Sequence, residues 1–147
     1  MSEKVKEQNE KLLIDIYKNL DMATWSIDLI DDEILNDDML ELVRKQKKMY
    51  EENKCQAMTL AETYNIDLKN INIMAKLGSL TSIKVGTFFD NSLSHIANKL
   101  MQGTSMGIIE IKKALNSYKN VDKEIEALGK RIYDLENKFY TSLQDFL

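Results

Sequence analysis

The sequence predicts an all-α protein, an antiparallel four-helix bundle with one or two short extra helices between helices two and three. Two observations carry that prediction. Proline is absent and glycine occurs only 5 times in 147 residues, so little interrupts a helix and few residues supply the tight turns an all-β chain needs. Four long stretches also place apolar residues three and four apart, the spacing that gathers them on one helical face. Hydrophobic residues make up 44% and charged residues 30%, a globular balance, and the length suits a single domain with one core.

Helix one is predicted over Val5 to Ile30, with Leu12, Leu13, Ile16, Leu20, Ala23, Ile27 and Ile30 on its inner stripe. The acidic stretch Asp31, Asp32, Glu33 closes it. Asp38 with Glu41 has capping-box spacing and starts helix two, where negative charge suits the helix dipole. That helix runs to about Tyr64, turning Met39, Val43, Tyr50, Ala57, Ala61 and Tyr64 inward, with Gln46 and Asn53 in the same stripe. From Asn65 to Phe89, Gly78 and Gly86 separate short apolar pieces, and Asp67 could cap a short helix from Leu68 to Leu77. A strand pair at Ile83 to Phe89 is the poorer alternative, since no partner strand is evident.

Helix three is predicted over Ser92 to Tyr118, with Leu93, Ile96, Ala97, Leu100, Met101, Ile108, Ile111, Ala114 and Leu115 on one broad face. Helix four carries the most regular seam: Ile125, Leu128, Ile132, Leu135, Phe139, Ser142 and Phe146 step by threes and fours, as when one helix packs along another at a shallow angle. Asn120 and Asp122 supply the turn and cap before it.

Charge and composition exclude several function classes. The net charge of −4 does not attract a nucleic-acid backbone, and the basic run Arg44, Lys45, Lys47, Lys48 lies between acidic stretches and spreads around a helix. No nucleic-acid partner is expected. The charged segment Met1 to Lys11 lacks a signal-peptide apolar core, and no run nears the ~18 apolar residues of a membrane span, so no membrane partner is expected either. Cys55 is the only cysteine, which forbids an internal disulfide and fits a reducing cytoplasm.

Metal and catalytic chemistry find little footing. Di-iron bundles need a Glu from each of two helices and a Glu-x-x-His from each of the others, whereas His95 is the only histidine and projects nearly opposite its helix's apolar stripe. No cysteine, serine or carboxylate completes a catalytic group with it. The cluster Asp28, Asp31, Asp32, Glu33, Asp37, Asp38 lacks the spacing and glycine of an EF-hand loop and is read as a solvated corner. No cofactor, metal ligand or catalytic residue is assigned.

Gly103 and Gly107 stand four apart inside helix three, each costing up to about 1 kcal/mol against alanine. Either another backbone approaches closely there, or the helix breaks near Gln102 to Met106. Apolar residues also occupy the outer faces. Met22, Trp25 and Leu29 on helix one, and Phe88, Met106 and Ile109 at helix three, make a candidate self-association surface, since aromatic and Met enrichment marks such interfaces. For the second set, cover by the short helices after Asp67 is the other reading.

The helix order, with the stretch MGIIEIKKALNSYKNVD from Met106 to Asp122 and the helix-four seam behind it, resembles small bacterial members of the ferritin-like superfamily. The resemblance implies the bundle fold and a two-metal centre, for which only Glu110 stands at a ligand-like place. The expected function is therefore a non-enzymatic bundle acting through protein contacts as a homodimer. The alternative is a bundle holding a metal or small ligand in its core, with Gln46, Tyr50, Asn53, Asp90 and Glu110 as the polar groups near it.

Overall fold

Four α-helices make up most of what the computed structural model describes, residues 1–68 and 92–147. They are α1 (Glu3–Ile30), α2 (Asp37–Thr63), α3 (Leu93–Ser117) and α4 (Lys123–Leu143), with single 3₁₀ turns at Asp31–Glu33 and Gln144–Phe146. Among the described residues there is no strand. Short connections make α1 and α2, and α3 and α4, antiparallel neighbours, and these two pairs share the most extensive packing. α1 also packs on α3 and α4, which closes the bundle. The short helices expected between α2 and α3 fall outside the described residues.

Three of the four helices start where a side chain accepts from an orphan amide, and α4, behind Asp122, has no such cap bond. Ser2 Oγ accepts from Val5 N at 3.2 Å, and Ser92 Oγ accepts from His95 N at 3.3 Å. For α2 the cap is Asn36, whose Oδ1 accepts from Met39 N at 2.9 Å. The expected Asp38 cap is thus displaced by two residues, because Asn36 accepts from Met39 N two residues earlier and leaves Asp37 and Asp38 in the first turn, where they still suit the dipole. At its other end α2 closes in a Schellman turn. Asn65 takes a φ of 55°, Asn65 N donates to Glu62 O, and Ile66 N donates to Ala61 O at 2.8 Å. Asparagine tolerates that left-handed conformation better than most residues.

The inner stripes meet in one core. Leu12, Leu13, Ile16 and Leu20 of α1 have no exposed surface, nor do Met39 and Val43 of α2 or Ile125, Leu128 and Ile132 of α4. Each such side chain contributes about 1.5–3 kcal/mol through burial. Gly129 lets α4 approach closely: a Cβ there would lie 2.9 Å from Leu115 Cδ2 and 3.4 Å from Ile16 Cδ1. Lys54 Nζ, 2.5 Å from Asp21 Oδ1 and 5.4 Å from the centre of the Tyr17 ring, ties α2 to α1.

The register of α4 differs from expectation, and α3 rules out the break, one of the two readings of its glycines. On α4 the buried series is Ile125, Leu128, Gly129, Ile132, Glu136, Phe139 and Leu143, while Leu135 and Ser142 are half-buried. The steps 132, 136, 139 and 143 satisfy helical spacing as well as the expected ones do, and packing against three neighbours selected them. On α3 the helix runs unbroken through Gly103 and Gly107.

The turn between α3 and α4 is held from across the bundle by Asn9 of α1, which is 1% exposed. Its Oδ1 accepts from Asp122 N at 2.9 Å and its Nδ2 donates to Asp122 Oδ2 at 3.3 Å. Beside it, Gln8 Oε1 accepts from Asn120 N at 2.8 Å. Replacing Asn9 with Ala leaves the Asp122 amide without its partner, so urea unfolding should register a loss of about 1–3 kcal/mol, with far-UV helix signal retained. A change below about 0.5 kcal/mol would mean that this tie does not hold the turn.

Candidate functional site

Glu136 is a carboxylic acid inside the bundle, 1% exposed, one turn from Ile132 on one side and near Phe139 on the other. What admits it is Gly107. A Cβ on residue 107 would stand 2.2 Å from Glu136 Oε2 and 3.2 Å from its Cδ, so the carboxyl occupies the place of the missing side chain. The close approach expected at this glycine is real, but the approaching group is a side chain and not a backbone. Asn19 of α1 completes the contact, its Nδ2 donating to Gly107 O at 2.9 Å.

Beside this carboxyl lies a cavity of about 350 Å³ between α1 and α3. Its apolar walls include Met22, Ala23 and Ile27 of α1 and Leu100 of α3, and its floor comprises Tyr50 of α2 with Glu136 and Phe139 of α4. All four helices therefore contribute. Asp15, Lys18, Lys99 and Glu110 also line it, bringing two charges of each sign.

Two buried polar atoms at the cavity are left without a partner by the protein. Thr104 Oγ donates to Leu100 O at 2.7 Å. Glu136 Oε1 and Asn19 Oδ1, in contrast, are buried acceptors with no hydrogen-bond partner. Burial pushes the Glu136 carboxyl up to about 8, because an anion loses its hydration there. The Tyr50 phenol is also raised, first by burial and then by the neighbouring Glu136 charge, while a hydrogen bond from Gln46 opposes the shift. Asp15 is raised by burial and by Glu110, against the pull of Lys18. At neutral pH the cavity thus presents a protonated acid in apolar surroundings.

No family model, curated protein or solved structure matches this chain.

Of the residues expected near a core ligand, Tyr50 and Glu110 line the cavity, and Gln46 is buried beside Tyr50 with its Nε2 donating to Leu135 O at 3.5 Å. Glu110 is exposed and 3.8 Å from Lys113. Asn53 is turned elsewhere, donating to Met49 O at 2.8 Å and accepting from Arg131 at 3.4 Å. Asp90 and Phe88 lie outside the described residues. Met22 and Met106 line the cavity. Trp25 and Leu29 are half-buried within the chain itself, Leu29 against the core, so the outer face of α1 is less wet than its projection suggests. Among the described residues no three His, Cys, Asp or Glu side chains are placed to hold a metal ion. These residues do not fit a two-metal centre.

Asn19 and Glu136 were not among the sequence candidates, and a glycine four-spacing facing an acid on another helix was the only signal that could have found them. Above its ordinary pKa of 4.5 and up to about 8, folded Glu136 keeps a proton that the unfolded chain has released. Its contribution to stability is therefore complete below about pH 4.5 and is lost as pH rises to about 8, at up to about 1.4 kcal/mol per pH unit. Glu136→Gln should flatten that slope. Urea midpoints of both proteins at several pH values in this window test it, and parallel curves would show that Glu136 does not titrate there.

Proposed function

We propose that this protein is a non-enzymatic helical bundle that binds a small, mostly apolar molecule in the cavity between α1 and α3. The observation supporting this reading is an unpartnered carboxyl oxygen, 1% exposed as a residue, beside a cavity of about 350 Å³. A buried acceptor without a partner costs about 1–3 kcal/mol, and unfilled space forfeits packing. A ligand that fills the space and supplies the hydrogen bond recovers both. Ligand sites commonly have this build, an apolar wall with a few convergent polar groups. A ferritin-like relationship rests on the helix order with the stretch Met106 to Asp122 and the seam behind it, and a cytoplasmic site on the single cysteine, Cys55, exposed and free.

A cavity-filling variant tests the reading. A Cβ at Gly103, on the α3 wall, would meet nothing within 4 Å. Gly103→Leu should raise stability by up to about 1 kcal/mol, since glycine is a poor helix residue, while removing any small molecule that native mass spectrometry finds on the wild type purified from its own host. A bare wild type, or a variant that keeps the extra mass, would sink the proposal.

Self-association is the second reading, supported by Met106 and Ile109, which are 68% and 54% exposed and three residues apart on α3. The homodimer expected from it should appear in sedimentation velocity. Met106→Lys combined with Ile109→Lys should then yield a monomer of unchanged helix content, and a monomeric wild type would discard this reading.

A further inference from the structure

We propose that the cavity selects a small organic cation, an alkyl or cycloalkyl ammonium whose apolar body lies between α1 and α3 and whose N–H donors meet Glu136 Oε1 and Asn19 Oδ1. This inference rests on the ligand-binding reading and adds the chemistry of the ligand.

Two buried atoms at the cavity lack a partner: Asn19 Oδ1, which can only accept, and Glu136 Oε1, which is an acceptor once its carboxyl ionises. The amide hydrogens of Asn19 are turned to Gly107 O at 2.9 Å, and the Thr104 hydroxyl is spent on Leu100 O at 2.7 Å. A ligand that brings only acceptors, a carboxylate or phosphate, leaves Asn19 Oδ1 unmet, can take a bond from Glu136 only while that acid keeps its proton, and sets its charge against the ionised form. An ammonium brings three donors and no acceptor, and a charge-assisted bond to a carboxylate is among the stronger ones. The rim does not choose a sign, because Asp15 and Glu110 offset Lys18 and Lys99. The choice falls to the interior, where Glu136 becomes a carboxylate on releasing its proton, while the nearby Tyr50 phenol is held neutral by its raised pKa.

Binding is then linked to a proton. The protonated Glu136 carboxyl and the ammonium ion combine to form a carboxylate–ammonium pair, and one proton leaves to solvent. Since Glu136 holds its proton to about pH 8, affinity for the cation should climb with pH toward that value. Asp15, whose pKa is also raised, faces the cavity from α1 with Lys18, and Glu110 and Lys99 face it from α3.

Three probes with one body separate the possibilities: cyclohexylammonium, cyclohexanol and cyclohexanecarboxylate, titrated calorimetrically into the full chain at about pH 6 and about pH 8. Cyclohexylammonium should bind about tenfold more tightly than cyclohexanol at the higher pH, with proton release visible as a heat that depends on the buffer. In Glu136→Gln that preference and the proton release should vanish while cyclohexanol still binds. If cyclohexanol or the carboxylate binds as tightly as the ammonium, or the preference does not change with pH, the cation inference is overturned and the cavity remains a ligand site. If none of the three binds, the ligand-binding reading falls with it.

Discussion

The carboxyl of Glu136 sits where a side chain on residue 107 would have to go, 2.2 Å from its Cβ position. Nearly everything distinctive about this bundle follows from that arrangement. α3 must carry a glycine there, and α4 turns an acid inward where its seam would otherwise continue with an apolar residue. At Gly129, by contrast, Leu115 and Ile16 crowd the backbone of α4. One glycine therefore draws two helices together, and the other admits a polar group next to open space.

A bundle can tolerate this because the rest of its core is conventional. Leu12, Leu13, Ile16 and Leu20 meet Ile125, Leu128 and Ile132 with no exposed surface, and most of the stability lies in such contacts. The polar exceptions differ in kind. Asn9 and Asp122 satisfy each other through both of Asn9's polar atoms, so that pair fastens the α3–α4 turn. Glu136 and Asn19 keep one acceptor each unmet. Satisfied buried groups specify structure, whereas unsatisfied ones leave capacity for something else to bind.

The electrostatics at the cavity follow from geometry more than from net charge. The chain carries −4 overall, yet its interior acid is kept neutral at pH 7 by lost hydration. The same carboxyl at an exposed position of α4 would be ionised and chemically ordinary. Whether it acts as donor, acceptor or ion pair therefore depends on what enters beside it.

The four helices were legible in the sequence because their apolar residues recur at three and four and their ends carry Ser, Asn and Asp. That pattern is local, and local rules govern it. The cap of α2 was missed by two residues because Asn36 and Asp38 satisfy the same rule. Glu136 was missed for a deeper reason. Along α4, seams through Leu135 and through Glu136 are equally periodic, and hydrophobicity favours the former. Likewise, spacing revealed that Gly103 and Gly107 needed a cause without revealing which. The sequence by itself determined the helical class, the number of long helices and the apolar core. The tertiary structure alone decided the rotation of α4 and hence the cavity, because only contact between α3 and α4 matches a missing side chain on one helix to a buried acid on the other.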